Sequence, residues 1–166
     1  MVKVLLKKLN SAVKIPEYKT DGSSGMDLKA FINKSINVKP NSSSLIPTGL
    51  SVAFSKDYEI QIRPRSGLAA KENISVLNTP GTIDSDYRGE IKVIIYNHGK
   101  NDFIINNGDR IAQMILSPIL KMELEEINDL PETLRGEGGF GSTGKWALYL
   151  IKNKLKDFLA KLYLKT

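Results

Sequence analysis

The chain contains no cysteine and a single histidine, His98. The first absence excludes disulfides, a thiolate nucleophile and a cysteine-ligated zinc site. The second excludes an imidazole-rich metal centre within one chain. Long apolar runs are missing too: no stretch reaches the roughly 20 residues that a membrane-spanning helix requires. Residues 1–10 carry lysines without a long apolar core or a small-residue cleavage site, so no secretory signal is expected and the chain is expected to be cytoplasmic. The bulk composition, 41% hydrophobic and 25% charged over 166 residues, suits one globular domain with a proper core.

The net charge of +6 suggests nucleic acid only until it is located along the chain. Residues 145–166 hold six lysines and one aspartate, leaving 18 basic and 17 acidic side chains for the rest. The body is therefore close to neutral, and no nucleic-acid partner is expected for it. In the tail, Leu148, Ile151, Leu155, Phe158 or Leu159, and Leu162 fall at helical spacing, with Lys154, Asp157, Lys161 and Lys165 on another face. This predicts a basic amphipathic helical extension. Packing on the domain or on another subunit is favoured over contact with a membrane surface.

Before the tail, short strands dominate. Residues 2–9, 36–39, 44–54, 58–63, 74–78, 91–97, 102–105 and 110–116 read as strands, with alternation clearest at Ile91, Val93 and Ile95. Alternation also resumes at Met26–Ala30, after the turn residues 21–25. Turns are expected at residues 40–43, 97–99 and 107–109, and a short helix near Ala69–Glu72. Many short strands with closely spaced turn signals predict an all-β sandwich or barrel.

Residues 81–93 form the most informative stretch. Turn residues Asp86–Gly89 lie between two strand patterns, which predicts a hairpin with Asp84, Asp86 and Tyr87 near its tip. In an extended segment the two aspartates, two residues apart, leave the same face. An acid and an aromatic ring on a stiff hairpin suit a flat ligand and an activated water; alternatively, the acids are only solvated turn residues. A Ser–His–Asp triad is disfavoured because His98 sits in a turn between Asn97 and Gly99. Acid–base work then falls to carboxylates, with Asp27, Asp84, Asp86, Glu90 and Asp109 as candidates.

Residues 135–144, Arg-Gly-Glu-Gly-Gly-Phe-Gly-Ser-Thr-Gly, are the second unusual stretch. Glycine lets successive backbone N–H groups close around phosphate oxygens, and Arg135, Ser142 and Thr143 add donors. Gly139–Lys145 approaches the phosphate-loop spacing but fails it, because Trp146 follows the lysine where Ser or Thr is needed and no buried strand precedes it. A flexible linker is the plainer alternative, although an exposed Phe140 among five glycines argues against it.

Five segments together resemble the motifs of the trimeric dUTP nucleotidohydrolases, in the family's order. They are Ser24–Leu28, Pro64–Ala69, Gly81–Glu90, Gly108–Gln113 and Arg135–Gly144, so the resemblance covers roughly residues 1–144. It implies a jelly-roll-like β domain over residues 1–134, a mobile arm over 135–144 and an extension over 145–166. It further implies a homotrimer with shared active sites and Mg²⁺-assisted hydrolysis of dUTP to dUMP and pyrophosphate, which limits uracil in DNA and supplies dUMP for thymidylate synthesis. Asp84 matches the general base and Tyr87 the ring under the deoxyribose. Asn78 matches the reader of the uracil edge, with main-chain groups near Gly81, Thr82, Ile83 and Lys92. Arg65, Ser66, Gly67 and Gln113 match phosphate contacts, and Asp27 the acid that meets the metal through water. On the arm, Phe140 matches the ring stacking on uracil and Arg135 the γ-phosphate contact, while Gly141 and Ser142 belong to the wrapping backbone. One departure is the 22 residues after Gly144, where the family's chains end or nearly so. Within the same fold, dCTP deaminase is the rival enzyme; a non-catalytic nucleotide sensor is the rival of another class.

Overall fold

The computed structural model describes residues 1–133 and 135–139. The helical extension expected over residues 145–166 lies outside them. Residues 1–122 form one compact unit, and the chain from Glu123 onward belongs to a second. No helix among the described residues is long and apolar enough to cross a membrane.

The first unit is all-β, as its sequence predicts. Its strands are β1 (Leu5–Lys8), β2 (Met26–Lys29), β3 (Ile36–Val38), β4 (Ser42–Pro47), β5 (Leu50–Ala53) and β6 (Tyr58–Arg63). After the single helix α1 (Ser66–Glu72) come β7 (Ile74–Val76), β8 (Gly81–Ile83), β9 (Lys92–Asn97), β10 (Phe103–Ile105) and β11 (Arg110–Pro118). All pairings are antiparallel: a four-stranded sheet β2-β11-β6-β8, a three-stranded sheet β4-β9-β7, and the pairs β1-β5 and β3-β10.

Alternation places the core. Val93 and Ile95 on β9 point inward with Ile91 just before them, while Lys92, Ile94 and Tyr96 are less buried. Ile60 and Ile62 on β6, Leu28 on β2, Ile46 on β4, Ile74 on β7 and Ile111 on β11 complete one continuous cluster. Each such side chain removed from water contributes about 1.5–3 kcal/mol, so a one-residue slip in register would turn the apolar set outward and cost much of that stabilisation.

Five local expectations need correction. The strand predicted over residues 44–54 is two strands, broken at Thr48-Gly49. Gly49 has φ +69°, and a Cβ there would lie 2.5 Å from Val13 Cγ2, so the chain turns where only glycine fits. The turn predicted over residues 40–43 is shorter, with Asn41 at φ +54° and β4 already beginning at Ser42. The hairpin predicted around Asp84–Gly89 is a crossing between sheets: β8 pairs with β6, and β9 pairs with β4 and β7. The first strand is also shorter than expected, and α1 starts earlier, at Ser66.

Candidate active site

One group of predicted residues gathers at the end of the four-stranded sheet. Register places Asp27 on β2 beside Gln113 on β11, and Gln113 beside Arg63 at the end of β6. Pro64 then turns the chain into α1, with Arg65 in an extended conformation at its N-cap. Arg65 Nε donates to Asp27 Oδ1 at 2.8 Å, and Arg110 Nη1 donates to Asp27 Oδ2 at 3.2 Å. Gln113 Nε2 donates to the Pro64 carbonyl at 3.0 Å. Ser66 and Gly67 are exposed in the first turn of α1, where backbone N–H groups lack intrahelical acceptors. Arginines, a primary amide and free backbone donors suit an anion with several oxygens.

Packing explains the glycine of the first motif. A Cβ on Gly25 would sit 2.8 Å from Ile115 Cγ1 and 3.1 Å from Gln113 Oε1, so glycine is what lets β2 approach β11 here. Arg110 escaped the sequence reading as a site residue. It lies within the quoted Gly108–Gln113 segment, but only strand register shows that it shares Asp27 with Arg65.

A second group lies on the crossing from β8 to β9. Tyr87 N donates to Asp84 O at 3.1 Å, closing a turn over residues 84–87. The segment is thus not extended, and the period-two reason for pairing Asp84 with Asp86 on one face does not hold. Both aspartates are exposed. Tyr87 is 44% exposed and donates from its hydroxyl to Glu90 O at 3.1 Å. Its ring lies against Gly89, where a Cβ would come within 2.3 Å of the Tyr87 hydroxyl oxygen. Before β8, the exposed Asn78 lays its amide over Gly81, with Nδ2 3.0 Å from where a Cβ would stand. Thr82 is exposed and Ile83 half-buried, while Lys92 Nζ stands 3.8 Å from Glu90 Oε2.

The carboxylate of the second group does not meet the first group within one chain. Ile83 pairs with Ile60 and Gln113 with Arg63, so Asp84 is displaced from Gln113 by roughly 13 Å along the strands and roughly 10 Å across them. A hollow of about 780 Å³ under residues 8–19 takes in Asp27 but none of Asn78, Asp84 or Tyr87. In the second unit, Arg135 Nε donates to Gly138 O at 2.6 Å, a local turn contact. Phe140, Gly141 and Ser142 lie outside the described residues.

Two other candidate carboxylates have structural duties. Asp109 Oδ2 accepts from Asn106 N at 2.7 Å, and Glu90 Oε1 accepts from Gly49 N at 2.8 Å. His98, as expected, is an exposed turn residue; its Nε2 lies 2.8 Å from Ser75 Oγ. Among the described residues no group of three or more His, Asp or Glu side chains could cage a metal. Both Asp27 oxygens already face guanidinium groups, which disfavours direct coordination of a metal; the side chain is 18% exposed, so contact through a metal's water fits it better.

Similarity to known proteins identifies the family. The dUTPase family model matches residues 11–144. The deoxyuridine 5'-triphosphate nucleotidohydrolase of Rickettsia bellii (strain OSU 85-389) is 54% identical over 145 residues, covering 87% of this chain and 97% of that protein. The one from Treponema denticola is 54% identical over 137 residues, covering 82% and 95%. Among solved structures, a dUTPase variant of Staphylococcus bacteriophage 80alpha with dUpNHpp superposes with a TM-score of 0.76 at 24% identity, covering 86% of this chain and 98% of that one. A dUTPase variant from phage phi11 of S. aureus, described as coordinating a structural Mg(II) ion, has a TM-score of 0.70 at 20% identity, covering 78% and 99%. The structural likeness carries the fold, the family match and sequence identity carry the lineage, and the chain belongs to the dUTPase family.

Proposed function

We infer that the chain hydrolyses dUTP to dUMP and pyrophosphate, with Asp84 as the base and Tyr87 as the platform for the sugar. The observation that carries this is the single closed turn holding an exposed carboxylate and an exposed ring, within a match spanning residues 11–144. Asp84 takes a proton from water as the water oxygen bonds to the α-phosphorus and the bond to the pyrophosphate oxygen breaks. A carboxylate is a weak base, so orientation of the water supplies much of the rate. Tyr87, braced against Gly89, offers a flat face that a 2′-hydroxyl would crowd. Asn78 presents an amide that can donate and accept toward a uracil edge, joined by main-chain groups of Gly81, Thr82 and Ile83 and the start of β9 at Lys92.

Arg65, Ser66, Gly67 and Gln113 bind the phosphates. Mg²⁺ fits as an ion carried on the triphosphate, with Asp27 holding its waters; it would neutralise phosphate charge. The distance between Asp84 and Gln113 in one chain supports a homotrimer in which different subunits contribute the base and the phosphate contacts of a shared site. Leu120 and Met122, fully or largely exposed after β11, add an apolar stripe suited to contact between copies. The arm over residues 135–144 would close the site, Phe140 stacking on uracil and Arg135 meeting the γ-phosphate, with Gly141 and Ser142 wrapping the chain. The extension over residues 145–166 is then an appendage to a β domain of residues 1–134, and the cytoplasm is the proposed compartment.

The test is pyrophosphate release from dUTP beside dTTP, dCTP and UTP, for wild type and Asp84→Asn. Release confined to dUTP and reduced about 10²–10⁴-fold in the variant supports the reading. Ammonia release from dCTP, or nucleotide binding without turnover by wild type, overturns it.

A further inference from the structure

Only three polar or charged residues are buried among the described ones: Thr48, Ser51 and Asn97. Thr48 and Ser51 lie in none of the five motif segments, yet burying a hydroxyl is unfavourable unless it finds a partner. Both find one on the same short segment, and that segment leads to Tyr87.

Residues 48–51 turn from β4 into β5 directly beside residues 88–91. Thr48 Oγ1 donates to Ile91 O at 2.6 Å, Gly49 N to Glu90 Oε1 at 2.8 Å, Ile91 N to Leu50 O at 2.8 Å, and Ser51 Oγ to Arg88 O at 2.8 Å. No strand ladder joins residues 48–51 to residues 88–91, and three of these four bonds use a side chain where a sheet would have used backbone. The corner is itself fixed. Leu9 N donates to Gly49 O at 2.8 Å, and the left-handed Gly49 is packed against Val13 and Phe31. On the outer side the bonds continue: Tyr87 donates to Glu90 O, Arg88 Nη1 donates to Ser85 O at 2.7 Å and to Tyr87 O at 2.9 Å, and Tyr87 N donates to Asp84 O. An uninterrupted chain of hydrogen bonds thus runs from a buried corner to the exposed ring.

We propose that Thr48, Ser51 and Glu90 are positioning residues that hold Tyr87 at the height where a 2′-hydroxyl is refused, making the β4–β5 corner a determinant of deoxyribose specificity. This rests on the reading of Tyr87 as the sugar platform. Glu90 acts through its carboxylate on Gly49 and through its carbonyl on Tyr87, so one residue joins both halves of the brace. If the ring sinks or tilts, the enzyme keeps its phosphate and base groups but loses the steric difference between sugars.

The experiment measures kcat/KM for dUTP and for UTP in the full chain, alongside the thermal unfolding midpoint. The variants are Thr48→Val, Ser51→Ala, Glu90→Ala, Glu90→Gln and, as reference, Tyr87→Ala. A loss of stability alone lowers both substrates together and leaves their ratio unchanged. The expected result is a dUTP-to-UTP ratio reduced by about 10–100-fold in Thr48→Val, Ser51→Ala and Glu90→Ala, the scale of a small misplacement. Glu90→Gln, whose amide oxygen still accepts from Gly49 N, should stay close to the wild-type ratio. If Tyr87→Ala collapses the ratio while Ser51→Ala and Glu90→Ala keep it, the brace is wrong and the platform stands. An unchanged ratio in Tyr87→Ala overturns the platform, and the brace with it. Should Thr48→Val fail to fold, Ser51→Ala and Glu90→Ala, at positions less deeply buried than Thr48, decide the matter.

Discussion

Asp27 and Arg65 are joined by a 2.8 Å hydrogen bond between Oδ1 and Nε, across the end of the four-stranded sheet. The second Asp27 oxygen meets Arg110, so one carboxylate aims two guanidinium groups from different elements. Asp27→Asn removes the charge that orients them. Because both groups of the pair are partly solvated, unfolding stability should fall by only about 1 kcal/mol. KM for dUTP should rise about tenfold, equivalent to about 1.4 kcal/mol of binding. Urea unfolding measured with steady-state kinetics checks both, and a large stability loss with unchanged KM would contradict it.

Gly89 is where the Tyr87 ring rests. A Cβ there would meet the ring at 2.3–2.9 Å, closer than any real contact. Gly89→Ala must therefore lift the ring, since the backbone beneath is tied to the Ser51 corner. Turnover of dUTP should fall about tenfold or more, as expected for a displaced positioning group. Unfolding temperature should change little, because Tyr87 is substantially exposed. Saturation kinetics beside a thermal scan separate the two effects.

At Gly81 the crowding is gentler. A Cβ would lie 3.0–3.4 Å from the Asn78 amide, which is exposed and free to swing away. Gly81→Ala is expected to fold normally and to raise KM for dUTP several-fold while kcat changes less, because base reading precedes chemistry. Binding of a non-hydrolysable dUTP analogue by calorimetry should weaken in parallel with KM.

Asn97 concerns the fold alone. Fully buried at the end of β9, its Nδ2 donates to Val38 O and Asn101 O at 2.8 Å each, and its Oδ1 accepts from Gly99 N at 2.8 Å. Asn97→Ala leaves two carbonyls and one N–H without those partners, at about 1–3 kcal/mol for each group left unsatisfied. A total loss of about 3–5 kcal/mol is expected by urea unfolding, with the dUTP-to-UTP preference of the remaining folded enzyme unchanged.

The amino-acid sequence by itself determined the all-β class, the inward face of β9 through its Ile91–Val93–Ile95 alternation, and the family through five short segments in order. These are local properties: side-chain period and turn chemistry act over a few residues and can be read along the chain. Tertiary structure alone decided that β8 leaves for β6 while β9 joins β4 and β7, so that the expected hairpin became a crossing. It alone showed that Asp27 is shared by Arg65 and Arg110, and that Thr48 and Ser51 support residues 88–91 from 37 to 43 positions away. Pairing partners and buried hydrogen bonds between distant segments depend on which surfaces meet once the core closes. No window of sequence contains that information, because the partner's position is itself a product of folding.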